Sequence, residues 1–287
     1  MNKQIKPLIF SDMDGTLYNT SFKVLDTTKK DIDFAITKSS ENFNPADFNL
    51  ATGNPLFERV HNIANYLNAR FIIASSGAQI YDNVEKRMIL EKYIDDEVSQ
   101  KIIAYAQNKK LRLIFFNSQE YFYLNCTPEE LVIVKKYHFD TEEGASIVQE
   151  YKNQKIEKIA KFEFWNDTEK NPDVIADLNK IYDNIVVTHG TIEIMPKDIS
   201  KGQAIEYLLK NFYPAHTLAD VMAAGDSGND ISMLSICGYS YAMANSQPKV
   251  FPYAKYYTSA VEQNGLGEAI IDYLYRFDNI IKKYLLH

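Results

Sequence analysis

The sequence predicts an α/β protein: a parallel sheet wound between helices, with a separate α+β unit inserted into it. Three observations carry this expectation. Up to Ala78, short apolar runs alternate with amphipathic helical stretches, the pattern of a doubly wound sheet. Between Asp82 and Gly190, neighbouring strands replace that alternation, and from Ile199 onward the helix–strand alternation resumes.

The first strand, Leu8-Ile9-Phe10-Ser11, ends in Asp12-Met13-Asp14-Gly15-Thr16. Residues two apart on leaving a strand point to the same side, so Asp12 and Asp14 face one site. In open parallel sheets that side is where ligands bind. Gly15 allows the tight turn that follows, and Thr16 can brace the loop with a side-chain hydrogen bond. Asp26-Thr27-Thr28 reads as a helix N-cap, with Ile32, Ala35 and Ile36 as the buried stripe. Phe48 to Ala51 is a second strand, ending in Thr52-Gly53-Asn54. A helix carrying Val60, Ile63, Ala64 and Leu67 leads to a third strand, Phe71 to Ala74, which ends in Ser75-Ser76-Gly77.

Within the insert, Arg87 to Leu90 is expected to pair in a hairpin across Asp82-Asn83. A helix over Asp95 to Asn108 and strands over Leu111 to Phe116 and Tyr121 to Asn125 follow. Thr127-Pro128-Glu129-Glu130 opens a helix with proline in its first turn. Strand Ile156 to Phe164, helix Pro172 to Tyr182 and strands Ile185 to Val187 and Thr191 to Ile194 complete the unit. Beyond it, Ser200 caps a helix opened by Lys201. Val221 to Ala224 then delivers Gly225-Asp226-Ser227-Gly228-Asn229-Asp230, the second concentration of acids. Strands over Tyr239 to Ala244 and Tyr256 to Thr258 and an amphipathic helix from Glu268 to Leu286 end the chain.

Composition narrows the function. The 287 residues are 46% hydrophobic and 24% charged, ordinary for a globular protein with a sizeable core. A net charge of −7 gives no basic footprint for nucleic acid. No run approaches a membrane span, and the apolar run from Pro7 to Phe10 is too brief for a signal peptide. Cys126 and Cys237 are far apart and offer neither a disulfide framework nor metal-ligand spacing, which points to a reducing cytoplasm. The five histidines are scattered and read as ordinary packing or surface residues, His138 among them. His189 is the one to watch, because it lies just before the return from the insert.

Four strand ends thus carry Asp12 and Asp14, Thr52 and Gly53, Ser76 and Gly77, and Asp226, Asn229 and Asp230, with Lys201 opening a helix. Two adjacent carboxylates repel unless one is protonated or a cation lies between them. Hard oxygen ligands, with room for water and a phosphate, favour Mg2+ over zinc. A calcium loop is the alternative for Asp226 to Asp230, but no glutamate follows at the EF-hand spacing.

These residues resemble the four motifs of the haloacid dehalogenase-like hydrolase superfamily: DMDGT at 12 to 16, Thr52, Lys201 within SKG, and GDSGND at 225 to 230. The long insert is similar to the C2B cap of the Cof-type subfamily, and EIMPKDISKG at 193 to 202 resembles that subfamily's return to the core. The resemblance implies a Rossmann-like core from residues 1–81 and 191–287 and a C2B cap from 82–190. It further implies a Mg2+-dependent phosphatase of small phosphorylated metabolites, with sugar phosphates the first class to test. Asp12 would be the nucleophile that forms an aspartyl-phosphate, and Asp14 the general acid and base. Mg2+ would be held by the Asp12 carboxylate, the Asp14 backbone carbonyl and the Asp226 carboxylate. Met13 and Gly53 backbone N–H groups, the Thr52 hydroxyl, Lys201 and Asn229 would bind phosphate, and Asp230 would orient Lys201. Two positions depart from the pattern: Asn54 stands where many relatives have arginine, and Ser76 where many have asparagine. Both bear on the leaving-group contact and the core–cap junction, so no substrate is carried over from a relative. The alternatives are a phosphomannomutase-like phosphotransferase and a metabolite-binding regulator without turnover.

Overall fold

The computed structural model describes residues 5–19, 21–38, 44–165, 171–188 and 190–285, with the backbone alone from 279 to 285. His189, Leu286 and His287 therefore lie outside the described residues. Strands β1 (Leu8–Ser11), β2 (Asp47–Ala51) and β3 (Phe71–Ala74) alternate with helices α1 (Asp26–Thr37) and α2 (Glu58–Tyr66). The chain then turns back through β4 (Gln79–Asp82) and β5 (Arg87–Glu91). The inserted unit contains α3 (Asp96–Lys109), β6 (Leu113–Phe116), β7 (Tyr121–Leu124), α4 (Pro128–His138), β8 (Val148–Glu150), β9 (Lys161–Phe164), α5 (Pro172–Ile181), β10 (Ile185–Val187) and β11 (Ile192–Ile194). The return is α6 (Lys201–Phe212), β12 (Val221–Gly225), the short α7 (Ile231–Leu234), β13 (Tyr239–Met243), β14 (Tyr256–Thr258) and α8 (Gly265–Leu285).

Eight strands form one sheet in the order β14-β13-β12-β1-β2-β3-β4-β5, and six form a second in the order β10-β11-β9-β6-β7-β8. The first is parallel from β14 to β3, with the antiparallel hairpin β4–β5 added at its edge. Its apolar runs are buried on both faces. Ile9, Phe48 and Met222 pack toward α1, α2 and α8, while Phe10, Ala223 and Val221 pack toward α6 and α7. β1 is central, flanked by β12 and β2, and this neighbourhood brings the acidic loops after β1 and β12 together.

Three expectations need correction. The junctions placed near Asp82 and Gly190 fall inside strands or turns of the two sheets: β4 and β5 belong to the larger sheet, and β10 and β11 to the smaller. Strand pairing decides this, because Phe71 to Ala74 claims Gln79 to Asp82 as its antiparallel neighbour and β5 pairs with β4. Asp26 is the first residue of α1 rather than its cap, and Leu25 precedes it without a side-chain cap bond. The last helix begins at Gly265, ahead of the expected Glu268.

In the smaller sheet the strands alternate strictly. Phe115, Phe162, Phe164, Ile192 and Ile194 face α3 and α5. The opposite face carries Ile114, Phe116 and Tyr121, covered by α4 and by Phe57 of the core. Arg59 of α2 ties the units together: Nε donates to Asp140 Oδ1 at 2.9 Å and Nη2 to the Phe139 carbonyl at 3.0 Å. On the same face His138 Nδ1 lies 2.6 Å from the Tyr121 hydroxyl. Burial, then the Lys161 and Arg59 charges, lowers the His138 pKa to about 3. This folded value lies below the ordinary 6.5, so the stability gained from a neutral ring is complete above pH 6.5 and lost as pH falls toward 3. Urea unfolding at pH 7 and pH 4 should show the native chain losing about 3 kcal/mol more than a His138→Phe/Tyr121→Phe variant. Equal losses would contradict that account.

Candidate active site

Asp12 leaves β1 with its backbone N–H still donating to the Ala224 carbonyl of β12 at 3.0 Å, so its position is set by the sheet. Beyond it the Met13 carbonyl accepts from Leu17 and Tyr18, closing a tight turn, and the Met13 side chain is buried in the core. Gly15 sits at φ +83°, and a Cβ there would collide with the Asp226 carboxylate. Glycine therefore permits both the turn and the approach of the second acidic loop.

Lys201 is fully buried at the start of α6, where Ser200 caps the helix by accepting from Gln203 N at 3.2 Å. Its Nζ donates to Asp12 Oδ1 at 2.7 Å and to Asp230 Oδ1 at 2.6 Å. The other Asp230 oxygen accepts from the Asp226 and Ser227 backbone N–H groups, each at 2.9 Å. Asp230 thus fixes both the ammonium and the loop that carries Asp226. Gly77, at φ +111°, lets the turn after β3 rest against the Ser200 carbonyl, which a Cβ would meet.

Charge at this point is unbalanced. Burial is the largest influence on Asp12 and pushes its pKa up to about 8, with Asp230 and Asp14 adding to the rise and Lys201 opposing it. Burial likewise raises Asp226 to about 9, followed by Asp12 and Asp230. The Asp14 carboxyl is raised by burial and held back by Asn54, whose Nδ2 donates to Asp14 Oδ2 at 2.6 Å. Burial alone would depress the Lys201 ammonium, but Asp12 and Asp230 outweigh it and hold its pKa above the ordinary range.

A metal fits this donor set. One oxygen each from Asp12, Asp226 and Asp230 lies within 4.8 Å of the others. Both Asp230 oxygens are engaged, whereas Asp226 Oδ1 is buried without a hydrogen-bond partner. A buried carboxylate oxygen left unpaired is costly unless a cation meets it. All-oxygen donors with surplus negative charge suit Mg2+.

The cleft above these residues encloses about 600 Å³. Asp12, Asp14, Gly53, Asp226 and Asn229 line it, so five of the residues singled out by motif share one cavity. Thr52 lies just behind, fully buried, its Oγ1 accepting from Asn54 N at 3.0 Å. Sequence reasoning missed the far wall. Lys161 Nζ lies between Glu163 Oε1 at 2.8 Å, Glu193 Oε2 at 3.0 Å and the Gly53 carbonyl at 2.8 Å. Glu193 in turn accepts from Ser76 Oγ at 2.7 Å and Asn229 Nδ2 at 3.2 Å. The two departures from the motif pattern therefore have partners: Asn54 holds Asp14, and Ser76 holds the insert. A signal was present in Lys161-Phe162-Glu163-Phe164, whose strict alternation marks a strand with one charged face.

Lys201→Met should destabilise the fold by about 3 kcal/mol in urea titration, because two buried carboxylates lose their counter-charge. Adding Asp230→Asn to that chain should return more than about 1 kcal/mol of the loss. Strict additivity of the two substitutions would contradict the pairing.

The profile of the haloacid dehalogenase-like hydrolase family matches residues 9–270. A Bacillus subtilis (strain 168) protein named "Putative phosphatase YxeH" is 24% identical, over 92% of this chain and 96% of its own. Among solved structures, a haloacid dehalogenase-like hydrolase from Bacteroides thetaiotaomicron superposes with a TM-score of 0.74 at 23% identity, covering 93% of this chain and 99% of that one. The subclass IIB sugar phosphatase BT4131 gives 0.76 at 18% identity, over 93% and 99% of the two chains. Both share this fold, the doubly wound core and the inserted α+β unit together.

Proposed function

The chain belongs to the haloacid dehalogenase-like hydrolase family, and from that premise we propose that it is a Mg2+-dependent phosphatase of small phosphorylated metabolites, sugar phosphates first among them. The observation that carries this reading is the Lys201 ammonium joining Asp12 and Asp230 beside the unpartnered Asp226 oxygen. It supports a fixed carboxylate nucleophile next to a cation site.

In the proposed reaction the free oxygen of Asp12 attacks phosphorus and the bond to the ester oxygen breaks. Lys201 holds the other Asp12 oxygen and so sets the angle of attack. Asp14 gives its proton to the departing alkoxide, a role suited to a carboxyl whose pKa burial has raised. Once it has lost that proton, Asp14 takes one from a water that attacks the aspartyl-phosphate, and inorganic phosphate and free Asp12 result. Asn54 keeps the Asp14 carboxyl in place through both steps. Backbone N–H groups of Met13 and Gly53, with the Thr52 hydroxyl and Asn229, would bind the transferring oxygens. Mg2+, held by the Asp12 and Asp226 carboxylates and the Asp14 carbonyl, would supply charge compensation and Lewis-acid polarisation of the phosphoryl group. The inserted unit lines one side of the cleft and would limit the access of water to it once substrate is bound.

Asp14 favours this reading over a regulator without turnover, because a pure binder needs neither a nucleophile nor a proton donor beside it. A cytoplasmic setting is supported by the two free thiols, Cys126 and Cys237. Among the described residues no helix is long and apolar enough to cross a membrane.

The test is phosphate release from p-nitrophenyl phosphate and a panel of sugar phosphates. Release in Mg2+ should stop in EDTA and should fall on the order of 10³-fold or more in a folded Asp12→Asn variant. Undiminished release in either case would overturn the assignment.

A further inference from the structure

The wall of the cleft facing Asp12 is built by the inserted unit, and its chemistry differs from that of the phosphate end. His138 ends α4 and lines the cleft although only 3% of it is exposed. The Tyr121 hydroxyl 2.6 Å from its Nδ1 is fully buried and has no other hydrogen-bond partner among the described residues. That hydroxyl therefore donates to Nδ1, since turning its proton elsewhere would leave it unpaired among Phe116, Phe57 and Phe139. The ring is neutral, so Nε2 carries the remaining proton. With Nδ1 turned into the packed rings, Nε2–H is the donor that the ring presents to the cleft.

Glu163 lies on the same wall. One of its oxygens takes the Lys161 ammonium, and the other accepts from the Trp165 indole N–H at 3.1 Å, with lone pairs to spare. Lys161 is fully buried behind these carboxylates and does not reach the cavity. Among the described residues the cleft is lined by six carboxylates, Asp12, Asp14, Glu163, Glu193, Asp226 and Glu262, and by no lysine or arginine. The aromatic rings of Tyr137 and Trp165 complete the wall.

We propose that Glu163 and His138 select the leaving group: an uncharged, polyhydroxylated alcohol is accepted, and one bearing a second anionic group is excluded. This rests on the phosphatase reading above and adds the residues that set its specificity. A hydroxyl group both donates and accepts, so adjacent hydroxyls satisfy the Glu163 carboxylate and the His138 N–H together. A plain alkyl chain would strip both of water and give nothing in return. A second phosphate or carboxylate would meet Glu163, Glu193 and Glu262 with no lysine or arginine lining the cleft among the described residues, and like charges in a partly enclosed site repel strongly. The same charge pattern disfavours a bisphosphate-dependent mutase.

The experiment is steady-state kinetics of the full chain with Mg2+ on three esters of one carbon skeleton: hexitol 6-phosphate, n-hexyl phosphate and hexitol 1,6-bisphosphate. Hydrolysis of p-nitrophenyl phosphate reports on the phosphoryl chemistry itself. The value of kcat/KM for hexitol 6-phosphate should exceed that of the other two by about tenfold or more. His138→Phe/Tyr121→Phe replaces both hydrogen-bonding partners by apolar rings and should reduce the preference over n-hexyl phosphate by about tenfold, with the preference over the bisphosphate retained. Glu163→Gln should instead reduce the preference over the bisphosphate by about tenfold, because it removes one negative charge from the wall. Equal rates on the hexitol and hexyl esters, bisphosphate turnover at the monoester's rate, or variants that slow all esters in parallel would overturn this selection while p-nitrophenyl phosphate turnover leaves the phosphatase standing. Failure of every ester, p-nitrophenyl phosphate included, overturns both.

Discussion

A single ammonium group, Lys201 Nζ, joins two buried carboxylates from two different sheet-edge loops, and the core is arranged to make that junction possible. It requires β1 between β12 and β2, so that Asp12 and the Asp226 to Asp230 loop emerge side by side. It requires α6 to begin where it does, and Ser200 and Gly77 together fix that start. A buried pair of this kind adds little net stability compared with well-packed apolar residues, but losing one member leaves an uncompensated charge in a dry interior. The arrangement makes sense as positioning: Asp12 is held by one oxygen, which leaves the other to the attack proposed for it.

The inserted unit repeats the same solution. Lys161 is as buried as Lys201 and likewise joins two carboxylates, Glu163 and Glu193, while its third contact is the Gly53 carbonyl of the core. Glu193 then reaches Ser76 and Asn229. The unit that lines the far side of the cleft is thus bonded to the loops expected to hold phosphate, in addition to its contacts with Arg59. The phosphate contacts proposed above and the seating of the insert therefore share two residues, Asn229 and Gly53.

Much of this architecture is legible in the sequence itself. The apolar runs ending in Asp12, Thr52, Ser76 and Asp226 are strands because they are short, apolar on both faces and punctuated by glycine, and the structure buries them on both faces. The insert was legible as an α+β unit from its neighbouring strands. Its borders were not. β4 and β5 resemble the insert's hairpins locally, and only the pairing of β4 with Phe71 to Ala74, and of β5 with β4, assigns them to the larger sheet. The far wall was hidden for a related reason. Lys161 and Glu163 alternate with phenylalanines as on any half-exposed strand, and such a charged face normally meets water. That it meets Gly53 is a tertiary fact with no local trace. His138 was invisible in the same way, since a histidine at a helix end gains meaning only when Tyr121 from another strand takes its Nδ1.

If phosphate passes through a covalent bond to Asp12, as proposed, a pre-steady-state burst should reveal it. p-Nitrophenolate leaves without needing a proton, so Asp14→Asn should still allow the first displacement while the second, which needs a base, stalls. Rapid mixing of that variant with p-nitrophenyl phosphate and Mg2+ should release about one equivalent of nitrophenolate per chain in a burst, followed by slow turnover. Linear release from the first time point, with the fold intact and substrate saturating, would contradict an aspartyl-phosphate that accumulates when Asp14 is removed.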